Sequence, residues 1–98
     1  MTFKIGKIEK NILGMARDIG YKPILTTDRG EINCVRPLGR DYPRFHLYIK
    51  ETPEGLIFNL HLDQRRPVYQ GATAHGGDYE GAVVEQEAER IQKILNSE

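Results

Sequence analysis

The chain reads as an α+β domain: helix, an antiparallel meander sheet of three or four strands, helix, with both helices packed on one sheet face. Three observations predict it. Apolar residues recur at helical spacing near both ends, Ile8, Ile12, Met15 and Ile19 at one and Val84, Ala88, Ile91 and Leu95 at the other. Between them, RFHLYIKE and GLIFNLHLDQ alternate apolar and polar residues with the period of a half-buried strand. Finally, Thr52-Pro53-Glu54-Gly55 joins those two runs with proline and glycine where a tight turn needs them.

Taken in order, the first periodic segment predicts a helix from about residue 7 to 19, with Gly6 as N-cap, Glu9 at the third helical position and Gly20 as the stop. Gly14 weakens its interior by about 1 kcal/mol relative to alanine. The segment YKPILTTDRGEINCVRPL holds two short β-prone runs around Asp28-Arg29-Gly30, and Pro23 confines the first to a sheet edge. PLGRDYP is a connection. After the hairpin, the last periodic segment predicts a helix from about 81 to 95, with Glu89 and Lys93 in the favourable i, i+4 order. Amphipathic helices covering the apolar side of such a sheet leave its other face open, or partly covered by a loop.

At 98 residues the chain is expected to form a single globular domain, residues 1–98. Fourteen basic and fourteen acidic residues cancel, so bulk attraction to nucleic acid or anionic membrane is not expected. No window is long enough to span a bilayer, and the amino-terminal lysines are not followed by a signal-like apolar run. The lone Cys34 excludes an internal disulfide and sits in an apolar-rich run, where a buried thiol fits. A reducing, cytoplasmic setting follows as the expectation.

The hairpin register can be derived. If Glu51 faces Leu56, then Ile49 faces Phe58, Leu47 faces Leu60 and Phe45 faces Leu62; a one-residue slip throws apolar side chains to the wrong side. The same register sets Lys50 opposite Ile57, Tyr48 opposite Asn59, His46 opposite His61 and Arg44 opposite Asp63 on the outer face. Opposed residues have Cβ atoms about 4.5–5.5 Å apart, so two imidazoles become neighbours with a carboxylate and a guanidinium one step along. The roughly fourteen residues from Arg65 to Asp78 show neither period, a length that suggests function, and carry the third histidine, His75.

Four readings of this cluster compete. A divalent metal, zinc or manganese, could be held by His46, His61 and His75 with Asp63 or Asp78, Asp63 serving either as ligand or to orient His61. A coordination position left for water would permit hydrolysis, with His46, His61 and Asp63 as the catalytic set. Without metal, the two histidines could act as acid and base while Arg44, Lys50 or Arg66 binds a phosphate and Tyr48 or Tyr42 stacks on a base. The face could instead be a non-catalytic module for single-stranded nucleic acid or a protein partner, using Arg36, Arg40, Arg44, Arg65 and Arg66. The last reading is a plain solvated surface, with Arg44–Asp63 a weak ion pair and Asp78 an N-cap for the final helix. Helix, antiparallel strands, helix resembles the order of double-stranded-RNA-binding domains, but Glu85, Glu87 and Glu89 stand where those carry lysines, which argues against duplex binding.

Overall fold

The structure, a computed structural model, describes residues 1–27, 29–64, 77–78 and 80–96. The elements are β1 (Thr2–Gly6), α1 (Ile12–Asp18), β2 (Lys22–Thr26), β3 (Glu31–Pro37), β4 (Arg44–Thr52), β5 (Gly55–Asp63), β6 (Gly77–Asp78) and α2 (Ala82–Asn96). Among the described residues they make one antiparallel sheet of order β1-β5-β4-β3-β2, with the two-residue β6 added beside the end of β5. The α+β class stands. The sheet, however, has five main strands rather than three or four, and a strand precedes the first helix, so the helix-first order shared with double-stranded-RNA-binding domains does not hold.

That extra strand is the main departure. Phe3 and Ile5 alternate with Thr2 and Lys4, and β1 pairs along β5 from Thr2↔Asn59 to Gly6↔Gly55. The Phe3 ring stacks on Phe58 at 5.1 Å, which burial favours more than an exposed helical turn would. The helix therefore starts five residues late. Asn11 adopts an extended conformation (φ −67°, ψ 155°), and its side-chain oxygen accepts the Gly14 N–H at 2.7 Å, the N-cap bond expected of asparagine. A Cβ on residue 14 would stand 3.1 Å from that oxygen, so Gly14 makes room for the cap rather than merely weakening the helix. From β1 the chain crosses the sheet through α1 to the far edge, where β2 begins. Pro23 does lie on this edge strand, and the β2–β3 register shifts between Pro23 and Leu25.

The β4–β5 hairpin has the derived register throughout, from Arg44↔Asp63 through His46↔His61 and Ile49↔Phe58 to Thr52↔Gly55. One apolar cluster takes its sheet side from Ile5, Ile32, Cys34, Phe45, Leu47, Ile49, Phe58, Leu60 and Leu62. Met15, Ala16 and Ile19 of the first helical segment and Val84, Ala88, Ile91 and Leu95 of α2 cover it. Both helices thus pack on the same face. Fully burying a side chain such as Phe58 or Ile49 contributes about 1.5–3 kcal/mol, and the run of such residues along β4 and β5 makes this hairpin the spine of the core.

Asp78 is not the N-cap of α2. Gly77 and Asp78 pair with Asp63 and Leu62 as β6, and the first backbone bond of α2 runs from the Glu85 N–H to the Gly81 carbonyl at 3.0 Å. The connection therefore returns to the sheet beside Asp63 before the helix starts. Among the described residues no helix is long and apolar enough to cross a membrane.

Candidate metal centre

Strand alternation does the first work of assembling the site. Because Phe45, Leu47, Leu60 and Leu62 point into the core, His46, His61 and Asp63 point to the opposite face, and pairing places the two histidines directly across from each other. Their ring centroids are 4.7 Å apart with planes tilted by 45°. Asp63, two residues beyond His61 on the same strand, bridges both rings. Its Oδ1 lies 2.8 Å from His61 Nε2 and its Oδ2 lies 3.0 Å from His46 Nδ1. One donor atom from each of the three residues falls within 4.8 Å of the other two.

The neighbours fix this geometry from several sides. Arg44, opposite Asp63, places its Nε 3.3 Å from Asp63 Oδ2, and its guanidinium lies over the Tyr42 ring at 4.6 Å. Tyr48 stacks on His46 with centroids 4.7 Å apart and planes at 23°. Asn33 comes from β3, where Asn33↔Tyr48 and Val35↔His46 are the cross-strand pairs, and its side-chain oxygen contacts His46 Nε2.

Around the pair the face is not open to solvent. The side chains of His46 and His61 are 12% and 10% exposed and that of Asp63 is 15% exposed, while Val35 beside His46 is buried. Ring packing against Tyr48 and the three-way contact with Asp63 leave little of either imidazole to water. Burial accordingly lowers the His46 pKa from its ordinary value; the charge of Asp63 and its hydrogen bond oppose this, whereas His61 and Arg44 reinforce it. His46 is therefore the neutral ring at neutral pH. Neutral imidazole carries one N–H, so His46 donates either to the Asn33 oxygen from Nε2 or to Asp63 Oδ2 from Nδ1, according to its tautomer.

Of the residues singled out from sequence, the fold gathers His46, His61, Asp63, Arg44 and Tyr48. Lys50 shares their face but stands four residues further along β4, about 13 Å at 3.3 Å per residue, between Glu31 and Ile57. It does not join them. Arg36 belongs to the other face: it pairs with Phe45, lies over that ring at 5.9 Å and bonds Glu87 beneath the sheet, so it does not join the arginines proposed for single-stranded nucleic acid. Arg40 is exposed in the connection before β4. Arg65, Arg66 and His75 lie outside the described residues. Asn33 is the participant that sequence reasoning missed. Its outward direction was readable from the inward Ile32 and Cys34 on either side, but its position beside His46 depends on the β3–β4 register.

Comparison with family models, with curated proteins and with solved structures finds no match to this chain, so the functional reading rests on the site itself.

Proposed function

We propose that the protein binds a divalent metal ion, zinc or manganese, through His46, His61 and Asp63, and that the bound ion serves hydrolysis of a phosphoester. The observation that carries the reading is the convergence of two imidazoles on one carboxylate, His46 Nδ1 on one Asp63 oxygen and His61 Nε2 on the other, with one donor atom from each residue within 4.8 Å of the other two. Zinc takes imidazole nitrogen at about 2.0–2.1 Å and carboxylate oxygen at about 2.0–2.2 Å, so its ligand atoms lie roughly 3–3.5 Å from one another. The contacts of 2.8 and 3.0 Å need to widen by only a few tenths of an ångström.

Asn33 fits the role of an outer partner. A metal-ligating histidine usually donates its second ring N–H to an oxygen, which sets the tautomer, and the Asn33 oxygen at His46 Nε2 stands where it would accept that proton. Three protein ligands leave a position at which bound water becomes a nucleophile near neutral pH. Arg44, held between Asp63 and the Tyr42 ring, stands where a guanidinium would pair with phosphate oxygens. The setting proposed is a reducing cytoplasm: Cys34 is buried, and burial pushes its thiol pKa up to about 12, leaving it an inert packing group.

Thermal unfolding tests the binding. Zinc or manganese at about one hundred times its Kd should stabilise the protein by about 2.7 kcal/mol. For a domain of this size that is a rise in Tm of roughly 10–20 °C. A chelator should reverse it, and His61→Ala should abolish it. A melting curve that ignores both metals removes the proposal and leaves the face to a non-catalytic role toward nucleic acid or protein. Metal-dependent release of a chromogenic phosphoester's leaving group tests the hydrolytic step separately.

Asn33→Ala gives a second check. Loss of the outer partner should weaken metal affinity by about 10- to 100-fold with the ligands intact. Titration calorimetry on the variant measures this; unchanged affinity would deny Asn33 any part in setting the His46 tautomer.

A further inference from the structure

Residues 7–11 leave the sheet edge after β1 and pass the β4–β5 hairpin before α1 begins. Between this segment, α1 and the hairpin turn lies a pocket of about 500 Å³. It is separate from the metal centre: Leu56 in its wall is five residues from His61 along β5, about 16 Å, and points to the opposite sheet face. Its size falls within the roughly 300–1,000 Å³ typical of small-molecule sites.

The lining has two parts. Buried Met15 and Leu56 make an apolar floor, and Ile8 and Ile12, only half-buried at the margin of the core, continue it outward. Two ammonium groups, Lys7 and Lys10, share the wall with a single carboxylate, Glu51. Lys10 Nζ contacts Asp18 at 2.6 Å, but the two side chains are 52% and 35% exposed. An exposed pair of this kind is worth about 0.2–1 kcal/mol and yields readily to a competing anion.

We propose that this pocket is a binding site for a small amphiphilic monocarboxylate, its acyl chain against Ile8, Ile12, Met15 and Leu56 and its carboxylate between Lys7 and Lys10. The apolar floor accounts for the chain, and the two ammonium groups in the wall, with Lys10 exchanging its exposed Asp18 contact for the ligand, account for an anionic head. A cationic amphiphile of the same length meets two like charges. A neutral one forgoes the ion pairs.

Amide shifts of the full chain, followed by NMR during titration with decanoate below its micellar concentration, test this. Decanoate should shift Ile8, Met15 and Leu56 saturably while leaving His46 and His61 unmoved. The surface double variant Lys7→Gln/Lys10→Gln should weaken binding about five- to tenfold, the sum of two partly exposed charge contacts. Ile8→Trp, which fills the pocket, should abolish it. Decanol should bind more weakly by a similar factor, and decyltrimethylammonium more weakly still. The proposal is overturned if decanoate gives no saturable shift, if decanol or the ammonium probe binds as tightly, or if binding survives Ile8→Trp.

Discussion

Glu87→Ala is expected to lower stability by about 3 kcal/mol, although a glutamate in an exposed-looking helix suggests a neutral change. Glu87 is 4% exposed and carries a network that joins three parts of the fold. The Tyr21 hydroxyl donates to its Oε2 at 2.6 Å, and Arg90 donates from Nε to Oε1 at 2.7 Å and from Nη2 to Oε2 at 2.9 Å. Arg36 reaches Oε1 from β3 at 3.4 Å, and Arg90 Nη2 also meets the Ile19 carbonyl at the end of α1 at 2.5 Å. Burial first, and the charge of Glu87 second, hold the Tyr21 hydroxyl protonated far above its ordinary range. Alanine strands that hydroxyl, at 2% exposure, without an acceptor, which alone costs about 1–3 kcal/mol. The two arginines are about a third exposed and can turn to water, so their loss adds less. Glu87→Gln keeps an acceptor oxygen for Tyr21 and should cost less than alanine. Urea midpoints at constant m measure both; an alanine variant within about 0.5 kcal/mol of the parent would mean that α2 is held by its apolar stripe alone.

Gly55→Ala is expected to cost a similar amount, about 3 kcal/mol, by a different route. Gly55 opens β5 at φ +146°, a conformation that side-chain-bearing residues rarely adopt and that carries about 1–3 kcal/mol of strain when forced. An added Cβ would also run into the Ile5 carbonyl oxygen and stand 3.0 and 3.1 Å from the carbonyl carbon and Cα of Gly6. Those atoms are the backbone of β1, paired to β5 through Gly6↔Gly55, and they can move only if the strand end peels away. Hydrogen exchange should therefore show β1 amides losing protection ahead of the β4–β5 amides, together with the drop in urea midpoint. Protection retained along β1 would mean that the two backbones are not this close.

The contrast between these residues and the hairpin explains what could be read in advance. Along β4 and β5 both strands alternate strictly, so a single register satisfies every apolar residue, and the outward pairs His46–His61 and Arg44–Asp63 follow with no further information. Most of the candidate site was legible for that reason. β1 was hidden because Phe3 and Ile5 give only two apolar repeats, while Ile8 extends the helical spacing of Ile12 back into a segment that is not helical. The cap at Asn11 was the local signal for the true start. Glu87 falls one turn after Val84 and one before Ile91, on the apolar stripe itself, and its charge alone suggested solvent. Partners for it come from α1's end and β3, distant in sequence, so only the tertiary arrangement reveals the network. Asn33 was invisible for a related reason. The six-residue connection between the ends of β3 and β4 carries no pattern that sets their register, and hydrophobic alternation on the short β3 permits more than one.

Two consequences of the fold bear on the metal reading together. Ligands on adjacent strands of a rigid hairpin keep their spacing without help from loops, which favours a preformed site. The return of the chain to β5 at Gly77, paired with Asp63, adds backbone support on the side of Asp63 away from β4. Arg44 stands on the β4 side, its Nε 3.3 Å from Asp63 Oδ2.

Anomalous scattering from zinc-loaded crystals is the most direct test of the metal centre. The expected result is a single strong peak between β4 and β5, about 2.0–2.2 Å from His46 Nδ1, His61 Nε2 and an oxygen of Asp63, with Asn33 still on His46 Nε2. Crystals grown in zinc that show no peak there, with Asp63 still bridging both imidazoles directly, would contradict it.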